Sequence, residues 1–161
     1  FRVVVVDDRD DLLGHPAFAA ADRHARDVDE LETALPDLSD ADYLLIVTRD
    51  HARDEQALAH LLRRPHRYLG MIGSVRKVHA IVARVVRKEH QLGRPPPDFS
   101  RVRAPVGLAL GGRTPAEIAV SIVAELLAER HGGAGAPMNA VSQALARARA
   151  SLGEAQPPPE R

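Results

Sequence analysis

The sequence predicts an α/β fold, a Rossmann-like open parallel sheet with helices on both faces, lacking its first strand and the glycine-rich turn that follows it. Three observations predict this. Short apolar runs at residues 3–6, 43–47, 67–72 and 102–106 alternate with longer amphipathic stretches, the pattern of a parallel sheet covered on both sides. The first three runs lead into Asp7-Asp8, Thr48-Arg49-Asp50-His51 and Gly73-Ser74, at the strand ends where open sheets bind ligands. Asp7 and Asp8 stand where a dinucleotide fold keeps the acid that bonds a ribose hydroxyl, yet no G-x-G-x-x-G turn precedes them. In the usual order the strand carrying that turn lies centrally, between the strands that start at Val3 and Tyr43. Its lack predicts apolar strand edges there, to be covered by a longer parent protein, by rearrangement or by a second copy.

Taken in order, residues 3–6 are a buried strand with acids at its carboxyl end. Residues 12–21 have mixed character, 22–28 suit a short edge strand, and 29–35 suit a brief helix stopped by Pro36. The strand at 43–47 is followed by a helix over 53–64, with Leu58, Leu61 and Leu62 on one face and Pro65 after it. The strand at 67–72 passes through Gly73-Ser74 into a helix over 75–90, whose stripe is Val78, Ile81, Val82, Val85 and Val86. Gly93 and the three prolines at 95–97 close it. A last strand at 102–106 leads through Gly107, Gly111 and Gly112 to a helix marked by Thr114-Pro115-Ala116-Glu117, a capping box with proline at the first helical position. Two domains follow: residues 1–131, and a Gly/Ala/Pro-rich tail over 132–161 with a helix at 139–152.

Composition narrows the function. The 161 residues carry 22 Lys+Arg against 22 Asp+Glu, so no long-range field draws nucleic acid or an anionic membrane, and anion binding has to be local. The chain has no cysteine, which excludes disulfides, thiolate metal sites and a persulfide relay. No apolar run reaches bilayer length and no signal peptide opens the chain; the default is a cytoplasmic protein.

Each motif admits two readings. Gly73, Ser74, Arg76 and Lys77 combine a glycine turn, a hydroxyl N-cap, the exposed amides of a helix start and two cations; this suits a phosphate, or equally plain capping with surface charge. It is not a P-loop, because that spacing is absent. Thr48, Asp50 and His51, with Asp54 nearby, could line a crevice, move a proton or hold a metal, although without a third ligand the better reading of Asp50 is an N-cap. Gly107, Gly111 and Thr114 either let backbone approach a ligand or only make the turn. Glu117, Ser121 and Glu125 recur every four residues, as a polar wall or a solvated face. No acid–base pair with a catalytic arrangement stands out.

With these segments in order, the chain resembles the C-terminal Rossmann-like domain of the XdhC/CoxI family, the xanthine dehydrogenase accessory factors. The likeness rests on Val5-Val6-Asp7-Asp8-Arg9, Thr48-Arg49-Asp50-His51, the run from Tyr68 to Ser74 with Arg76-Lys77, and the stretch from Pro105 to Glu125. It implies a chaperone rather than an enzyme. Such a protein binds molybdenum cofactor (molybdopterin, also as a dinucleotide), keeps it during sulfuration and passes it to xanthine dehydrogenase or a related molybdenum hydroxylase. A cysteine desulfurase and a homodimer are the further implied partners. Asp7, Asp8, Thr48, Asp50, His51, Gly73, Ser74, Arg76, Lys77, Gly107, Gly111 and Thr114 would then form the cofactor site. Ala109 stands where many relatives carry an acid, and Arg49 where they often carry His. The alternatives are an NAD(P)-dependent oxidoreductase on the same scaffold and an interaction module that docks through its tail.

Overall fold

Apolar runs set three of the strands and short polar side chains cap three of the helices in the computed structural model, which describes residues 1–138 and 140–151. Five strands run in chain order as β1 (Val4–Asp7), β2 (Asp22–Ala25), β3 (Tyr43–Ile46), β4 (Tyr68–Met71) and β5 (Val102–Arg103). Between and after them lie α1 (Asp10–Leu13), α2 (Leu31–Ala34), α3 (His51–Leu61), α4 (Val75–Gln91), α5 (Pro115–His131) and α6 (Val141–Ser151). Short 3₁₀ turns lie at Pro16–Phe18, within the stretch of mixed character, and at Val28–Glu30, where the brief helix expected over 29–35 begins.

Every strand pairing among the described residues is parallel. β1 pairs with β2, Val4 opposite Asp22. β4 sits between β3 and β5, with Tyr43 opposite Tyr68 and Leu69 opposite Val102. No ladder joins β1 to β3 among the described residues, so the strands form a two-stranded and a three-stranded sheet, parted where the expected order has a further strand. Val3, Val4 and Leu45 are exposed there or nearby. The main departures from the sequence reading lie at element ends. α3 starts two residues early, because Asp50 accepts a hydrogen bond from the Arg53 amide and so caps the helix ahead of His51. The strand expected over 102–106 keeps only two residues, since Pro105 has no amide to donate.

β4 is buried along its whole length and divides the interior. On one face Leu69 and Met71 pack with Leu58 and Leu61 of α3 and Ile81 and Val85 of α4. On the other, Tyr68 packs with Val106 and with Ile122 and Leu126 of α5. Helices therefore cover both faces of this sheet. Leu58, Leu69, Met71 and Ile81 are fully buried, each contributing about 1.5–3 kcal/mol. Gly70 allows the second face to close, because a Cβ there would lie 2.7 Å from Val106 and 2.8 Å from Leu45.

The chain divides into two compact units, Phe1–Leu126 and Leu127–Arg161. In the second, the end of α5 is followed by a glycine-rich segment and α6, whose described residues are mostly exposed. The expected helix over 139–152 is seen as α6; Asn139 and Leu152 lie outside the described residues.

Candidate functional site

Three strand ends present polar residues, and each is held by a different set of contacts. At the end of β1, Asp7 accepts two hydrogen bonds from the Arg9 side chain, at 2.8 and 2.9 Å. This pairing holds its carboxyl at about 2, below the ordinary 3.8. Asp8 is gripped by Arg49 at 2.8 Å and by Arg53 at 3.0 Å, and Arg53 also pairs with Asp27. Both acids proposed for a ribose hydroxyl are thus engaged by arginines of the same chain. Asp27 has a lowered pKa, through the Val28 amide and then Arg53.

At the end of β3, the Thr48 hydroxyl lies 2.7 Å from Asp54 and 3.0 Å from the Asp50 carbonyl. Asp50 caps α3, and the Arg53 amide is the main cause of its lowered pKa. His51 is exposed at the first helical position. Asp54 is fully buried and forms an ion pair with Lys77. Lys77 therefore does not extend over the helix start. Its stem lies along Gly73, where a Cβ would come within 2.8 Å of Lys77 Cδ, and its ammonium points to α3. The sequence carried a signal for Asp54: it falls at i, i+3, i+4 and i+7 with Ala57, Leu58 and Leu61, an acid within an apolar stripe.

At the end of β4, Ser74 caps α4 by accepting a hydrogen bond from the Lys77 amide at 3.2 Å. Arg76 is exposed and has no ion-pair partner among the described residues. Beyond β5, the turn to α5 is anchored from the helix. The Glu125 carboxylate accepts hydrogen bonds from the Tyr68 hydroxyl at 2.7 Å and from the Gly107 amide at 2.6 Å, tying the loop to β4. Gly107 has φ +107°, and a Cβ there would lie 2.5 Å from Ser121 Oγ; only glycine suits both conditions. Glu117 accepts from the amides of Arg113 and Thr114 at 2.9 Å each and from the Thr114 hydroxyl at 2.8 Å, which lowers its pKa. So the polar row on α5 divides by position: Glu117 caps the helix start at the exposed surface, Ser121 lies in the cavity wall against Gly107, and Glu125 anchors the turn.

Ile72 and Gly73, the turn from Pro105 to Gly112, and Ile118 and Ser121 of α5 line an open-sided cavity of about 410 Å³. Gly73, Gly107 and Gly111 are brought together in its wall. Thr48 and Asp50 reach that region only through Asp54 and Lys77, Thr114 serves the cap, and Asp7 and Asp8 belong to the arginine cluster. The sequence reading missed the anchoring role of Glu125 and the apolar wall supplied by Ile72, Leu108, Leu110 and Ile118.

A family model described as the XdhC Rossmann domain matches residues 1–126. The chain belongs to this family. The XdhC domain is 33% identical over 102 residues to the uncharacterized protein YqeB of Escherichia coli (strain K12), covering 63% of this chain and 18% of that protein. It is 29% identical over 137 residues to a protein of Bacillus subtilis (strain 168) described as a probable xanthine dehydrogenase subunit, covering 81% of this chain and 36% of that one. A crystal structure described as a xanthine dehydrogenase from Bacillus halodurans superposes with a TM-score of 0.67 at 28% identity, over 82% of this chain and 36% of that chain. The chain thus spans about a third or less of the length of these relatives. Among the described residues no helix is long and apolar enough to cross a membrane, and no three His, Asp or Glu side chains gather as a metal site.

Proposed function

We propose that this XdhC domain is the cofactor-binding part of a xanthine dehydrogenase accessory factor, which holds molybdenum cofactor while it is sulfurated and delivers it to xanthine dehydrogenase or a related molybdenum hydroxylase. Gly73 carries the reading: it is at once a wall of the cavity and the turn into a capped helix bearing an arginine without an ion-pair partner among the described residues. The residues present suit the cofactor's phosphate. The first amides of α4 and the guanidinium of Arg76 supply donors and positive charge for it. The cofactor, when bound, supplies the redox chemistry of molybdenum to the enzyme that receives it. The domain's own residues bind and orient. Ser74 and Glu125 keep the two turns in place, and Lys77, committed to Asp54, positions the Gly73 turn rather than gripping phosphate. A cysteine desulfurase would act on the held cofactor, since this chain has no sulfur carrier of its own.

Titration of the chain with molybdopterin tests the reading. Arg76→Ala removes one charge-assisted hydrogen bond and should weaken binding roughly tenfold. Unchanged affinity would show that phosphate is held elsewhere. Parallel titrations with NADH and NADPH separate the oxidoreductase alternative, which needs a free acid for ribose where Asp7 and Asp8 are bound to Arg9, Arg49 and Arg53.

A further inference from the structure

The cavity beside the Gly107 turn differs in chemistry from the Gly73 helix start that adjoins it. Its side-chain walls are Ile72, Pro105, Val106, Leu108, Leu110 and Ile118, with Ala109 at the turn and Ser121 as a polar member, and no charged side chain among the described residues lines it. A phosphate or carboxylate placed against these walls would find no side-chain counter-charge among them. The volume of about 410 Å³ falls within the range of small-molecule sites.

The backbone supplies the polar complement. Around the turn, the Val106 amide donates to Met71, the Gly107 amide to Glu125, the Leu108 amide to Ser121 and the Leu110 amide to Leu108. The amides of Ala109, Gly111 and Gly112 have no acceptor among the described residues. They are donors beside apolar walls, and three anchors hold the loop that carries them: Glu125, Ser121 and the Thr114–Glu117 cap. Such a site offers flat apolar contact and edge hydrogen bonds to neutral acceptors.

We infer that this cavity is a subsite for an uncharged, flat, fused nitrogen heterocycle, whose faces pack on Ile72, Leu108 and Ile118 and whose ring nitrogen or carbonyl oxygen accepts from the loop amides. The inference rests on the cofactor reading for its place beside the phosphate position and adds which end of the ligand goes where. The ring lies in the Gly107 cavity, and the charged group stays outside it, toward Arg76. A pterin and a purine share this ring chemistry, and both occur in a purine dinucleotide form of the cofactor.

Isothermal titration of the 161-residue chain with neopterin and with adenosine tests it, since neither probe carries a phosphate. Saturable binding of either is expected. Neopterin alone would assign the pterin end to the cavity, and adenosine alone the nucleotide end. Ala109→Trp, at an exposed turn position, should fill the space and weaken the ring probe at least tenfold, whereas Arg76→Ala should change it less than twofold. Leu110→Trp on the same turn gives a second blocking variant, and a thermal melt matching wild type shows that each variant is folded. The subsite is overturned if neither probe binds, or if both folded tryptophan variants bind the ring as wild type does. Failure of the cofactor reading looks different: the ring probe binds and responds to Ala109→Trp, but molybdopterin binds no tighter than the bare ring and is indifferent to Arg76→Ala.

Discussion

Replacing Lys77 with methionine separates the two roles open to this cation. Met keeps the unbranched stem that covers Gly73 but removes the ammonium from Asp54. Asp54 is fully buried, and its remaining contact is the Thr48 hydroxyl at 2.7 Å. Removing one partner of a buried pair costs about 3–5 kcal/mol, because a carboxylate is left without its counter-charge. Partial exposure of the Lys77 side chain, at 13%, lets water replace some of the loss, so about 3 kcal/mol is expected. That is a large share of the roughly 5–15 kcal/mol that holds a domain of ordinary stability. Urea denaturation followed by circular dichroism reads it as a fall in midpoint at constant slope. The double variant Asp54→Asn with Lys77→Met removes both charges and should recover at least half of the loss, since deleting a buried pair outright is far milder than orphaning one member. A single variant within about 0.5 kcal/mol of wild type, the range of an ordinary surface substitution, would refute the argument. Loss of molybdopterin affinity at unchanged stability would return Lys77 to the phosphate site.

Two further outcomes follow from the same contacts. Gly107→Ala puts a Cβ at φ +107° and 2.5 Å from Ser121 Oγ, so it should destabilise by about 1–3 kcal/mol in the same assay, and pairing it with Ser121→Gly should relieve the clash but not the backbone strain. At acid pH, Asp7 is the group to follow: its pKa is lowered from 3.8 to about 2 by Arg9, so its contribution is present above about pH 4 and lost as pH falls toward about 2. Asp7→Asn should therefore lower stability at neutral pH by about 1 kcal/mol, after allowance for solvent screening of a pair at the surface. The two proteins should converge near the acid end of that window, and an equal gap at both ends would show that the carboxylate's charge is not the source.

The strands were legible in the sequence because sheet burial leaves a direct mark: β3 and β4 are continuous apolar runs, and β4 is buried on both faces. The helix starts were legible too, since Asp50, Ser74 and Thr114 are short polar side chains followed by amides that need acceptors, and each caps its helix through its own side chain. What pattern could not supply was the choice among equally charged neighbours. Arg76 and Lys77 are adjacent in sequence and equivalent in charge, but α4 turns them about 100° apart, so Lys77 meets Asp54 while Arg76 remains at the surface.

The same geometry explains why the polar row on α5 resisted interpretation. Glu117, Ser121 and Glu125 share a helix face, and spacing alone treats them alike. Their surroundings do not: Glu117 faces the capped amides of Arg113 and Thr114, whereas Glu125, two turns on, faces Tyr68 of β4 and the Gly107 amide. Glu125 thus links sheet, loop and helix, and Gly107 can sit close to Ser121 because it has no side chain. The cavity is therefore made by the loop's anchoring. It takes its shape from Glu125 and Ser121, and its neutrality from a lining that holds no charged side chain among the described residues.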